Sequence, residues 1–241
     1  MIVAGFHPVY AALEERPDAV EALLLQEGRR DGRVRELERT AREKGIPVRV
    51  VPREELDRTA GKAHNGVAAR VATREYDAVE EALGGEPGSR LVLFLDEVTD
   101  PGNLGSILRT ASAAGASVVL PERHSVGLNE SVSKASAGAL ERVKVARVVN
   151  AARFLEEAKN DHFWVYGASP EGETLWDVDL TGDVVFCLGA EGPGLRRLTR
   201  ETCDRLVAIP MAEGAGSMNV GVSAAVLLFE ALRQRKAKNP G

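Results

Sequence analysis

The chain has 241 residues, with 44% hydrophobic and 28% charged residues. This is long for one domain, comfortable for two, and ordinary for a globular protein. No apolar run approaches the ~18 residues a membrane span needs, and Met1-Ile2-Val3-Ala4-Gly5 lacks the basic stretch and apolar core of a secretory leader. Two cysteines, Cys187 and Cys203, make neither a disulfide framework nor a zinc-ligand spacing. A cytoplasmic protein without membrane or metal is therefore expected. The net charge of −5 argues against a nucleic-acid partner, but it is uneven. Residues 1–75 carry 14 Lys and Arg against 13 Asp and Glu; residues 76–241 carry 17 against 23. The front part is rich in Arg, which suits bidentate phosphate contacts, although solvated helix faces account for such residues too.

From Ile2 to about Thr73, short apolar segments alternate with amphipathic ones. Strands are predicted over Val20–Leu25, Pro47–Val51 and Val67–Val71, and helices over Val9–Glu15, Gly32–Lys44 and Arg53–Ala60. This reads as a small α/β domain. A short helix is predicted over Tyr76–Leu83. Gly84-Gly85-Glu86-Pro87-Gly88 reads as linker. The domains expected are thus 1–73, a linker at 74–88, and 89–241.

The second block opens with Leu91–Leu95, an apolar run typical of a buried parallel strand. A helix over Asn103–Ala114, stopped by Gly115, leads to a strand over Ser117–Leu120. Strand–helix alternation continues through Val143–Val148, Ala151–Lys159, Phe163–Tyr166, Val184–Leu188, Arg196–Thr202, Leu206–Ile209 and Asn219–Arg235. The class is α/β with a mostly parallel sheet. The tail Arg233–Gly241 is expected to fray.

Three polar, glycine-containing junctions stand out. In Asp100–Arg109, Asn103 reads as a helix N-cap. Arg109 lies 600° further round, off the Asn103 face, with Asp96, Glu97 and Asp100 as available ion-pair partners. In Leu188-Gly189-Ala190-Glu191-Gly192-Pro193-Gly194, three glycines let a ligand approach the backbone. Their spacing and place in the sheet are not those of a dinucleotide fingerprint. Glu191 is the only charge there, and a solvated turn residue would explain it as well. Last, Ser217-Met218-Asn219-Val220-Gly221-Val222-Ser223 feeds a long apolar helix, placing free N–H groups at its start. Ser217 or Asn219 as a plain cap is the competing reading. The helix is apolar on nearly every face from Val222 to Leu232, which implies burial in the core or against a second subunit.

These motifs, in this order, resemble the SpoU/TrmH family of RNA 2′-O-ribose methyltransferases. Ser133–Glu141, Leu198–Asp204 running into Ile209-Pro210-Met211, and Ala63-His64-Asn65-Gly66-Val67 extend the resemblance over essentially the whole chain. It is most like the bacterial branch that methylates a guanosine in the peptidyl-transferase P loop of large-subunit rRNA. The resemblance implies a C-terminal trefoil knot, S-adenosylmethionine as cofactor, a homodimer through the knotted domain, and an RNA-binding front domain. It implies a catalytic set of Asn103, Arg109, Glu191, Ser217 and Asn219. Leu188, Gly189, Glu191, Gly192, Ile209, Met211, Ser217 and Met218 are the implied cofactor-binding residues. RNA contacts are expected from Lys62, His64, Asn65 and Arg109. Relatives generally carry serine at the Gly221 position and alanine at Ser223. Methylation of tRNA or another rRNA loop, or a non-catalytic ribosome-assembly role, are the alternatives.

Overall fold

The computed structural model describes residues 1–29, 31–190, 192–214 and 216–238. In chain order the elements are β1 (Ile2–Ala4), α1 (Phe6–Glu15), β2 (Val20–Gln26), α2 (Gly32–Glu43), β3 (Val48–Val51), α3 (Arg53–Ala60) and β4 (Val67–Val71). Next come α4 (Val79–Ala82), β5 (Leu91–Asp96), α5 (Pro101–Ala114), β6 (Ser117–Pro121), α6 (Glu130–Ser136), β7 (Val145–Val148) and α7 (Ala151–Asn160). The chain ends with β8 (Trp164–Thr174), β9 (Val184–Gly189), α8 (Arg197–Thr202), β10 (Arg205–Ala208) and α9 (Val220–Lys238).

Two compact units result. The first comprises residues 1–75 together with 127–142. Its sheet runs β1-β4-β2-β3, with β2 and β3 parallel and the other pairs antiparallel. Val9 and Leu13 of α1, Val34 and Leu37 of α2, and Leu23 and Leu25 of β2 form its core. Asp31 caps α2, its carboxylate accepting from Val34 N at 3.1 Å. The segment 127–142, absent from the 1–73 domain expected from sequence, contributes α6 and a short 3₁₀ turn. Glu141 is buried in this unit, 3.1 Å from Arg16, and Glu130 accepts from Ile2 N at 2.6 Å.

The second unit comprises residues 76–126 and 143–241. All six of its strands are parallel, in the order β10-β8-β9-β5-β6-β7. Every residue of β5 is buried, because helices cover a parallel sheet on both faces. Phe94, Phe154 and Phe186 are fully buried, and Phe94 and Phe154 pack ring to ring at 5.7 Å. The expected linker 74–88 is partly built into this unit: α4 occupies four residues of it, and Asp183 accepts from Gly88 N at 2.9 Å.

Two capping expectations change. Asp100, not Asn103, caps α5: its side chain accepts from Asn103 N at 2.7 Å, with Pro101 in the first turn. The C-terminal tail does not fray at Arg233. Helix α9 continues to Lys238, and Arg235 donates to the carbonyls of Leu180, Gly182, Ser89 and Arg90. Asn239–Gly241 lie outside the described residues. Among the described residues no helix is long and apolar enough to cross a membrane.

Candidate active site at the C-terminal end of the parallel sheet

The chain runs from β5 outward through β6 to β7, then returns to place β9 on the other side of β5. The loops after β5 and β9 therefore leave the sheet side by side at its switch point. Open α/β sheets bind their ligands at such a place. The segment after β10 joins them, so the three sequence junctions converge although Asn103 and Asn219 lie 116 residues apart.

The convergence is visible in one hydrogen bond. Asn219 Nδ2 donates to Asn103 Oδ1 at 2.8 Å, joining the first turn of α5 to the start of α9. The same Asn219 caps α9, its Oδ1 accepting from Gly221 N at 2.9 Å and Val222 N at 3.3 Å. Its amide is thus held at both ends. Capping and site-building, which competed in the sequence, are both performed by this residue.

Ser106 was not singled out in the sequence, and it faces Gly221. A Cβ at Gly221 would sit 3.1 Å from both Ser106 Oγ and Asn219 Oδ1. A side chain there would need Ser106 and Asn219 to give by a few tenths of an ångström, so glycine leaves this α5–α9 contact uncrowded. Arg109 lies one step further along α5 and is exposed. The acids near it in sequence are engaged elsewhere. Buried Asp96 accepts from Arg196 Nε at 2.6 Å, Glu97 lies 3.7 Å from Arg196, and Asp100 caps α5. Arg109 has no side-chain hydrogen bond or ion pair among the described residues.

Beside these groups a cleft of about 180 Å³ is open on one side. Leu188, Gly189, Gly192, Ile209, Met211, Ser217 and Met218 line it, which brings together seven of the eight residues expected to hold cofactor. The eighth, Glu191, lies outside the described residues. At Gly189 a Cβ would run into the Gly194 backbone, so the loop folds back on the strand end only because that position has no side chain. Sequence reasoning missed Ala168, Ser169 and Pro170, which form a further wall. They belong to β8, expected only over Phe163–Tyr166. The strand runs on to Thr174, with a register shift against β10 between Leu206 and Val207. Only the Ser-Pro dipeptide hinted at that bend.

In the first unit the expected RNA-contact residues separate. Lys62 and Asn65 are exposed. His64 is 3% exposed and turned inward, its Nε2 3.0 Å from Asp57 and its Nδ1 accepting from Gly66 N at 2.8 Å. The His64 side chain thus shapes the loop from inside, while Lys62 and Asn65 stand on its exposed side.

A doubly flanked parallel sheet with a glycine-shaped cleft at its switch point is the framework of a nucleotide-cofactor enzyme. Residues 90–229 match the SpoU rRNA methylase family, and residues 2–77 match the RNA 2′-O ribose methyltransferase substrate-binding domain. The chain belongs to the SpoU rRNA methylase family. It is 46% identical over 239 residues to the 23S rRNA (guanosine-2′-O-)-methyltransferase RlmB of Xanthomonas campestris, covering 97% of this chain and 96% of that one. The RlmB of Xylella fastidiosa is 44% identical over 240 residues, covering 97% and 96%. Among solved structures, the SpoU methyltransferase AviRb from Streptomyces viridochromogenes in complex with the cofactor AdoMet is similar, with a TM-score of 0.83 and 28% identity. That match covers 98% of this chain and 91% of AviRb.

Proposed function

We propose that this chain transfers a methyl group from S-adenosylmethionine to the ribose 2′-hydroxyl of a guanosine in 23S rRNA, in the peptidyl-transferase P loop. The observation that carries the reading is the Asn103–Asn219 bond beside the glycine-shaped cleft. It supports a single site built from all three motifs. Full-length similarity to enzymes named for this activity supports the substrate.

The cleft suits the cofactor chemically. Leu188, Val207 and Ile209 offer an aliphatic surface for a flat base, while glycine backbone and Ser217 offer polar groups for the ribose and the amino acid part. When bound, the cofactor supplies an electrophilic methyl on a sulfonium. What remains for the protein is alignment and charge stabilisation. Gly189, Ile209 and Met218 would hold the cofactor through their backbones, with Leu188, Gly192 and Met211 beside it in the cleft. Asn103, Ser217, Asn219 and Glu191 orient the reacting groups. Arg109 holds an RNA phosphate and stabilises negative charge growing on the 2′-oxygen. A guanidinium offers five N–H donors and no acceptor, so it suits this role better than that of a base.

The first unit is the RNA-binding part in this reading, and Lys62 and Asn65 contact RNA. Membership of the SpoU rRNA methylase family over residues 90–229 supports a trefoil knot in this part of the chain. Apolar side chains left exposed on α9 support a homodimer, and an rRNA substrate supports a cytoplasmic location. The experiment is incubation with labelled S-adenosylmethionine and unmodified 23S rRNA, alongside tRNA, with mapping of 2′-O-methyl groups. One methylated P-loop guanosine is expected. Methylation of tRNA alone, or of no RNA, would overturn the substrate assignment.

A further inference from the structure

The first unit holds a cavity of about 440 Å³, away from the three junctions that build the cleft of the second unit. Its size falls in the ~300–1,000 Å³ range of sites that enclose small ligands. Its walls come from the start of α1, the approach to α2 and its first turn, the loop before β4, and α6. The segment 127–142 therefore supplies one wall of it, through Lys134 and Ala137.

Three cations line this cavity: Arg29, Arg33 and Lys134. The one acid in the lining, Asp31, is already engaged. Its carboxylate accepts from Arg29 Nε at 2.7 Å and from Val34 N at 3.1 Å. Arg29 also donates to the Asn65 carbonyl at 2.6 Å, so it holds the wall together. Arg33 and Lys134 remain as uncompensated positive charge. Arg33 lies over the Phe6 ring, 5.4 Å from its centre, and the Lys134 ammonium has no hydrogen bond or ion pair among the described residues. Asn65 sits at φ 49°, and its exposed side-chain amide carries both donor and acceptor without a partner among the described residues.

A stacked cation and ring, an uncommitted ammonium and an open amide match the three parts of one nucleotide. Sequence-specific RNA recognition works in this way, on unpaired bases splayed onto aromatic rings or guanidinium planes. A pocket of about 440 Å³ has no room for a duplex. We propose that the cavity takes one unpaired nucleotide of the RNA substrate. Its base stacks on the Arg33–Phe6 pair and meets Asn65 at its edge, and Lys134 neutralises its phosphate. This inference rests on the RNA-methylation reading, and it adds that this unit selects the loop through a single base.

The test uses the full chain and a fluorescent hairpin carrying the 23S rRNA P loop, with binding read by anisotropy so that turnover is not required. Arg33→Ala, Lys134→Ala and Asn65→Gly are compared with the unaltered protein. Glycine is chosen at 65 because it keeps the left-handed backbone while removing the amide. Arg33→Ala is expected to raise the hairpin Kd about tenfold, the effect of losing one stacked base. Lys134→Ala is expected to flatten the log Kd against log salt slope by about 0.7. One abasic replacement in the hairpin loop should weaken the unaltered protein about tenfold and leave Arg33→Ala unchanged. S-adenosylmethionine affinity should be the same in all variants. Unaltered hairpin Kd and the same abasic profile in the variants would overturn the proposal. Failure of the methylation reading shows separately, as tight hairpin binding without methyl transfer to any RNA.

Discussion

Arg109 and Asp183 are both charged, and their surroundings give them opposite work. Arg109 is exposed and without a side-chain partner among the described residues, so its removal changes no packing. Arg109→Lys keeps the charge and loses the planar fork. A fall in kcat of about 10²-fold is expected, typical of losing a transition-state donor, with Tm unchanged. Steady-state kinetics beside thermal melts checks this, and near-normal turnover would remove Arg109 from the catalytic set. Asp183 is 6% exposed. Burial pushes its pKa up, but hydrogen bonds from Arg90, Gly88 N and Arg90 N outweigh that and hold it below the usual carboxylate range. A lowered folded pKa means stability that is present above the unfolded pKa of ~3.9 and lost as pH falls through the folded value. Asp183→Asn is expected to cost on the order of 3 kcal/mol at neutral pH, since it leaves Arg90 without its buried partner. Chemical denaturation from pH 7 to pH 3 should show this gap constant down to about pH 4 and narrowing below. A gap that widens on acidification would refute the assignment. The motif residues were legible in sequence because polar groups at glycine junctions are conspicuous. Asp183 was not, because its partners lie 93 and 95 residues away and no local spacing announces them.

At the scale of elements, α3 and β4 were legible to the residue, since Pro52 and Gly61 bound the helix and a short valine-bounded run after Gly66 marks the strand. Helix α6 was not. It is seven residues long, with only Val132, Ser133 and Ser136 buried, and it packs on residues distant in sequence. Gly138 makes that packing specific. It sits at φ 92°, and a Cβ there would lie 2.7 Å from Ala11 Cβ and 3.0 Å from the His7 carbonyl. Gly138→Ala is therefore expected to destabilise the first unit by about 1–3 kcal/mol, through overpacking and a left-handed backbone. S-adenosylmethionine affinity should not change. Hydrogen exchange would register the loss in β1, β2 and β4, and unchanged protection there would show that 127–142 is not integral to this unit. Deleting residues 1–73 should likewise do more than remove RNA binding. It strips the cover from Val132 and Leu140, which are now fully buried, so the truncated chain should aggregate more readily than the full one in light scattering.

For the whole molecule the open question is what covers α9. The sequence suggested a helix buried all round. In the single chain Leu227, Leu228 and Ala231 are buried, yet Val222 is 51% and Phe229 49% exposed. These two positions are seven apart, so they share a face. An aliphatic side chain and an aromatic one exposed together on one helix face fit a two-fold contact in which the same helix meets itself. Phe229 is the larger contributor, since burying such a side chain is worth about 1.5–3 kcal/mol per copy. Sedimentation of the unaltered chain is expected to show a dimer. Phe229→Glu places two like charges across the axis and should yield a monomer with its thermal stability otherwise retained. A monomeric unaltered chain, or a variant that sediments as a dimer, would remove α9 from the interface. If the variant dissociates and also loses methyl transfer while keeping hairpin binding, the second protomer is needed to complete the catalytic site. Retained transfer would instead make each protomer self-sufficient, with the dimer serving only to cover α9.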